Sequence, residues 1–292
     1  MKKIAIVGSI NTDMVFETDR APVCGETVSG KSFSFAFGGK GANEAVAVAR
    51  LGAKAVLFGA VGDDVFSAEN IKNLKREKVD VQNVQTITNC YGGVAGITLT
   101  SGKNSIVVAS GANAKYTASM LAKSKDELTK CEALGVQAEI DVKVIEKAID
   151  IMHKAGKIVV FNPSPMQNFD AKLYEQSTYI VVNEIEISGM PNFVSVENEL
   201  KKYSNKLILT QGDKGAYYFD GEKICNVPAV KIKKVVDTTG AGDTFLGAFL
   251  VAVSGGKNIK EAIEFACKCA SLKCAKLGAQ SGMPTKEMVS QN

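Results

Sequence analysis

The segment Asp237-Thr-Thr-Gly-Ala-Gly-Asp-Thr-Phe245 follows a strand-like Lys234-Val-Val236 and sets small residues and a carboxylate at the head of an apolar helical run, Phe245, Leu246, Ala248, Phe249 and Leu250. Gly240, Ala241 and Gly242 let a ligand approach the backbone, and free amides at a helix start make a concave site for phosphoryl oxygens. Asp243 stands at the rim, where the positive end of a helix favours a charged carboxylate. A carboxylate beside an anion hole suits phosphoryl transfer to an alcohol: amides neutralise the moving phosphoryl group while the carboxylate takes the hydroxyl proton. That assigns Asp243 as general base. An aspartate in a first helical turn is also ordinary helix chemistry; the flanking glycines and Asp237 tilt the reading toward a site.

The acceptor side needs groups that read hydroxyls. Asn11 and Asp13 directly follow a first core strand, and Gly38-Gly39-Lys40-Gly41-Ala42-Asn43 opens the first long helix. Carboxylate, amide and ammonium groups converging there could bind a polyol through paired hydrogen bonds. Turn chemistry alone, with Asn and Asp capping and glycine bending, is the alternative for each cluster.

A second glycine-rich string competes for the phosphate. Gly25-Glu-Thr-Val-Ser-Gly30-Lys31-Ser32 fits the Walker A formula letter for letter. A P-loop must join a buried strand to a helix, but Asp19, Arg20, Ala21 and Pro22 precede this string and a strand-like alternation follows it. It is expected to be a turn leading into a strand.

These groups need a scaffold, and 292 residues with 46% hydrophobic and 23% charged side chains can build one large domain, taken as a single unit over 1–292. A net charge of +4 is too small and dispersed to announce nucleic acid or a membrane surface as partner. No apolar run approaches the roughly 20 residues that span a bilayer, and a soluble, cytoplasmic protein is expected. Seven cysteines, an odd number without paired knuckle spacing, read as reduced thiols. Cys267, Cys269 and Cys274 lie in a helical pattern that turns them to different faces. The single histidine, His153, excludes a histidine triad and fits a helix end.

Apolar runs at 2–10, 55–61, 157–161, 178–182 and 206–210 read as buried strands. Helical patterns fill 41–51, 64–78, 141–155, 242–254 and 259–276. The alternation predicts an α/β fold: a mostly parallel central sheet with helices on both faces and ligands at the strands' carboxyl ends. Two segments, about 12–37 and 90–110, switch to short period-two runs and predict antiparallel strands of a small β-sheet lid. Phe33, Phe35 and Phe37 fall on one face of it, which a substrate or a second subunit must cover.

GGKGAN at 38–43 and DTTGAGDTF at 237–245 resemble the two signatures of the PfkB-type carbohydrate kinases. SINTD at 9–13, GETVSG at 25–30, GDD at 62–64, GAN at 111–113, NPSP at 162–165, the Asn183–Glu186 stretch and GAQ at 278–280 follow in the family's order, so the likeness covers essentially the whole chain. The resemblance implies ATP-dependent phosphorylation of D-ribose at its 5-hydroxyl, with deoxyribose, fructose or a nucleoside as alternative acceptors. A non-catalytic sugar sensor is the alternative of another class. The family resemblance implies sugar contacts at Asn11, Asp13, Gly39, Lys40, Asn43, Glu139 and Asp243. Asn183, Thr210, Gly212, Gly240 and Gly242 would hold nucleotide, and Glu186 hydrated Mg²⁺. Asp237, Thr239, Lys273, Lys276 and Gly278 would form a K⁺ loop, several through main-chain carbonyls. The pattern often carries a serine just after GAQ where this chain has Gly282, with Ser281 one position away. Dimers formed through the lid are also implied.

Overall fold

Along the strand β1 (Lys3–Val7), Ile4 and Ile6 enter one apolar core and Ala5 and Val7 the other, all four fully buried. A strand apolar on both sides must lie inside a sheet covered on both faces, and the computed structural model, which describes residues 2–100 and 103–291, has that form.

Strands β2 (Asn11–Thr18) and β3 (Ser32–Gly38) precede helix α1 (Lys40–Arg50). Then come β4 (Lys54–Gly62), α2 (Val65–Arg76), β5 (Asp80–Ile87), β6 (Gly93–Thr100) and β7 (Lys103–Ala109). Short helices α3 (Ala112–Lys115), α4 (Ala118–Lys123) and α5 (Lys125–Thr129) lead to β8 (Ala133–Gln137), α6 (Val142–Lys154) and β9 (Ile158–Asn162). Next are α7 (Ala171–Gln176), β10 (Tyr179–Asn183), α8 (Val196–Lys202), β11 (Leu207–Thr210) and the hairpin β12 (Ala216–Phe219) with β13 (Ile224–Val227). Helices α9 (Ala241–Ser254), α10 (Ile259–Cys274), α11 (Ala279–Gly282) and α12 (Lys286–Gln291) close the chain.

The main sheet runs β13-β12-β11-β10-β9-β8-β1-β4-β5 and is parallel from β11 to β5, with the hairpin antiparallel at one edge. Helices α1, α9 and α10 cover one face and α6 the other. From β1 the chain crosses to β4 on one side, while β8 flanks it on the other. The carboxyl ends of β1 and β8 therefore bound the crevice where α/β sheets bind ligands.

The separate sheet, β3-β2-β6-β7, is the expected lid. It begins at Asn11 rather than Thr12, and one pairing departs from expectation: β2 and β6 run parallel, the others antiparallel. Both strands leave the main sheet in the same direction, after β1 and after β5, and so enter the lid side by side. Ser101 and Gly102 of the expected 90–110 segment lie outside the described residues. Phe33 and Phe35 are 55% and 48% exposed, so this aromatic face is uncovered in the single chain.

Two local expectations fail. Strand β8 was not anticipated, because its five residues, ALGVQ, include small ones with little apolar weight. Lys234, Val235 and Val236, read as a strand before the glycine turn, form an irregular exposed segment whose Val236 and Asp237 amides donate to the Cys274 carbonyl.

Candidate active site

Gly240 lies before α9 at φ +76°, a left-handed conformation that glycine adopts without strain. A Cβ there would stand 2.9 Å from the Ala279 Cβ. The turn leaves the amides of Gly240, Gly242 and Asp243 without a main-chain acceptor among the described residues. The expected ring of amides is corrected at one position: the Ala241 N–H donates to the Thr238 carbonyl at 3.0 Å and is not free for a ligand.

Gly247 sets the approach of α9 to α1, since a Cβ there would lie 2.6 Å from the Ala47 Cβ. One turn earlier on each helix, Asp243 and Asn43 meet, with Asn43 Nδ2 donating to Asp243 Oδ2 at 2.7 Å. Both helices thus point their positive ends at the same place. Gln280 Nε2 fixes Asn43 by donating to its Oδ1 at 3.0 Å, and Asn73 Nδ2 holds Gln280 Oε1 at 2.8 Å. Lys40 Nζ stands 3.9 Å from Asp243 Oδ1. Burial opposes the charge on Lys40, but Asp243, Glu139, Glu186 and Glu44 outweigh it and raise its pKa. Asp243 is 7% exposed, so this carboxylate is buried, oriented and beside a cation.

The expected sugar groups gather at the carboxyl ends of β1 and β8. Gly39 caps α1, and Glu139 Oε2 accepts from the Lys40 amide at 3.1 Å and from Ser9 Oγ at 2.5 Å. Asn113 Nδ2 donates to Asn11 Oδ1 at 2.8 Å, while Asn113 Oδ1 accepts from the Ile10 amide. Burial, then Glu139 and Asp243, push the Asp13 carboxyl up to about 6. Asn11, Asn113 and Glu139 line a cavity of roughly 380 Å³ with Val108 and Ser110 from the end of the lid.

A second cavity, of roughly 260 Å³, holds Lys40, Asn183, Glu186, Thr210, Gly240, Gly242 and Asp243 together. It is the polar one, at the ends of β10 and β11. The Asn183 amide donates to Glu186 Oε2 and Asn183 Oδ1 accepts from the Glu186 amide, so the two residues hold each other. One buried carboxylate facing a polar cavity suits Mg²⁺, which keeps several waters. Beside it, Thr210, Gly212, Ala241, Gly242 and Phe245 line a mostly apolar cavity of roughly 490 Å³. An aromatic base needs such a wall, and it opens onto the same amide turn.

Asp237, Thr239, Lys273 and Gly278 also converge. Asp237 Oδ1 accepts from the Thr239 amide and hydroxyl, and Oδ2 from the Gly278 amide at 2.8 Å. Burial raises the Asp237 pKa, yet these donors and Lys273 hold it below its ordinary value. The Lys273 ammonium, not only its carbonyl, enters the loop: Nζ donates to the Asp237 carbonyl at 2.7 Å. This donor set does not fit a free monovalent cation beside that ammonium. The Lys276 carbonyl lies 3.2 Å from a Cβ built on Gly282.

The Walker-like string forms no phosphate cradle: Gly30 is in coil, Ser32 starts β3, and Lys31 pairs with Asp19 in solvent. Exposed pairs contribute little, so Lys31→Ala is expected to leave kcat/KM for the nucleotide unchanged in steady-state assays. Burial pushes the Cys267 and Cys269 thiols up to about 11 and about 12, so both stay protonated. His153 sits exposed in the last turn of α6.

Ser9, Glu44, Asn73, Asn113 and Gln280 were not anticipated as site residues. Asn113 and Gln280 had a signal, the GAN and GAQ strings, but no partner visible in the chain. Glu44 lies wholly buried on α1; burial and then Asp243 push its carboxyl well up, and Gln137 donates to it.

The sequence pattern of the pfkB family carbohydrate kinases matches residues 1–286. The ribokinase of Bacillus subtilis is 38% identical over 291 residues, covering 100% of this chain and 99% of its own. That of Lactococcus lactis is 40% identical over 286 residues, covering 97% and 94%. Among solved structures, Arabidopsis thaliana ribokinase complexed with ribose and ATP superimposes with a TM-score of 0.90 at 30% identity over 99% of this chain and 98% of that one. With the two signature strings meeting at one buried carboxylate and the match running almost end to end, this chain belongs to the pfkB family of carbohydrate kinases.

Proposed function

We propose that this protein transfers the γ-phosphoryl group of ATP to the 5-hydroxyl of D-ribose. The observation that carries this reading is the position of Asp243. It lines the polar cavity with the amide turn, and it is tied through Asn43 and Lys40 to the cluster of Asn11, Asp13 and Glu139. Ribokinases among the relatives support the choice of sugar.

In the mechanism, Asp13, Asn11 and Glu139 receive the ring hydroxyls and turn the 5-hydroxyl toward Asp243. Asp243 removes the hydroxyl proton as the oxygen bonds to the γ-phosphorus. The bond from that phosphorus to the bridging β–γ oxygen breaks and ADP leaves. The amides of Gly240, Gly242 and Asp243 stabilise the phosphoryl oxygens, with Lys40 neutralising charge nearby. Glu186 would hold Mg²⁺ through water, and the ion when bound would supply charge neutralisation at the nucleotide phosphates. Asn183, Thr210 and Gly212 position the nucleotide. The uncovered aromatic face of the lid pairs with that of a second copy in a homodimer.

The test is ADP release in the presence of Mg²⁺ across pentoses, hexoses and nucleosides. Ribose should give the highest kcat/KM, and 5-deoxyribose, which lacks the acceptor, should give none. Deoxyribose should be weaker, because acceptors built for a vicinal diol are left unpaired. Preference for fructose or a nucleoside would replace the proposed substrate, and no sugar-dependent ADP release would favour a sensor.

Asp13 gives a pH signature. Its raised pKa means that it is protonated below about 6 and loses acceptor capacity there. KM for ribose should fall as pH rises through about 6, and Asp13→Asn should flatten that limb in a pH series of initial rates.

A further inference from the structure

Lys273, in the last turn of α10, is fully buried, a rare position for an ammonium without a role. Its Nζ donates to the Asp237 carbonyl at 2.7 Å and stands 3.8 Å from Asp237 Oδ2. Two further carbonyls lie near the position of Gly282, against its stem. A Cβ placed on Gly282 would meet Lys273 Cε at 3.1 Å, the Lys276 carbonyl at 3.2 Å and the Lys273 carbonyl at 3.3 Å. Carbonyls converging beside a carboxylate are the donors a hard cation takes. Here the Lys273 ammonium already takes one such carbonyl, that of Asp237, beside the Asp237 carboxylate, and the missing side chain at 282 leaves room for its stem.

We propose that the Lys273 ammonium is the built-in monovalent cation of this site, so that turnover needs no added K⁺. Lys273 acts as a positioning residue, through Asp237. It balances the carboxylate that receives Thr239 and Gly278 on either side. That network fixes the turn ending in Gly240, whose amides face the phosphoryl group. A side chain at 282 would press on the Lys273 stem, so the lysine and the glycine form one arrangement in place of a free ion and an added hydroxyl ligand.

The activity arm rests on the kinase reading; the stability arm does not. For the full chain, rates in KCl, NaCl and choline chloride at equal ionic strength should coincide. The thermal midpoint without sugar or nucleotide should also be the same in the three salts. Lys273→Ala should lower kcat in choline chloride by at least about ten-fold, the scale of weakened electrostatic positioning, with KM for the sugar little changed. KCl should then raise both its kcat and its thermal midpoint where choline chloride does not. Several-fold activation of the unmodified protein by K⁺, with a K⁺-specific rise in its midpoint, would overturn the proposal. So would a Lys273→Ala protein with full rate in choline chloride. If that variant does not fold, the unmodified protein decides. If no sugar yields ADP, the substrate reading fails and the salt dependence of the midpoint still judges the cation.

Discussion

Asp243→Asn is expected to lower kcat by about 10²- to 10⁴-fold, the range for removal of a positioned general base. The amide keeps the shape of the carboxylate and can still accept from Asn43, so α9 stays against α1 and the amide turn persists. Nucleotide affinity, measured by calorimetry, should therefore hold while turnover collapses. A variant with ordinary turnover would remove Asp243 from the reaction. The neighbouring lysine sharpens the contrast. Lys40→Met should weaken both steps, because Lys40 lines the polar cavity as well as facing Asp243.

Gly240→Ala should be nearly as damaging, by a different route. The turn requires φ +76°, and a methyl group there meets the Ala279 Cβ at 2.9 Å. Left-handed backbone costs a non-glycine residue about 1–2 kcal/mol, and the turn must shift to relieve the contact. Displaced amides no longer meet the developing charge, so kcat should fall by about 10²- to 10³-fold. Gly256 supplies the control. It has φ +87° with nothing within 4 Å of a built Cβ. Gly256→Ala should thus lose a comparable amount of stability in urea unfolding while retaining kcat.

The site was legible in the sequence where chemistry and backbone demand fall on the same short string. DTTGAGD needs small residues both for the left-handed turn and for ligand approach, and GGKGAN places Lys40 and Asn43 one turn apart on α1. What joins these strings was not legible. Asn43 meets Asp243 across 200 positions and Gln280 across 237, and nothing local encodes either contact. The same limit applies to Asn113, which orders Asn11 from beyond the lid.

The fold followed a similar rule. Long apolar runs such as KAVLFGAVG declare a buried strand, whereas ALGVQ at the sheet's centre declares nothing, because β8 is defined by its neighbours β1 and β9. The parallel pairing of β2 and β6 depends on where two distant segments leave the main sheet. Lys273 is the sharpest case. The sequence places it on a helix, but only packing sends its side chain back into the Asp237 loop.

The central claim is tested most directly by a crystal structure with ribose and a non-hydrolysable ATP analogue. The account predicts the terminal phosphate on the amides of Gly240, Gly242 and Asp243, with the 5-hydroxyl in hydrogen-bond contact with the Asp243 carboxylate. A terminal phosphate seated on Gly25–Ser32, or a sugar whose 5-hydroxyl points away from Asp243, would contradict it.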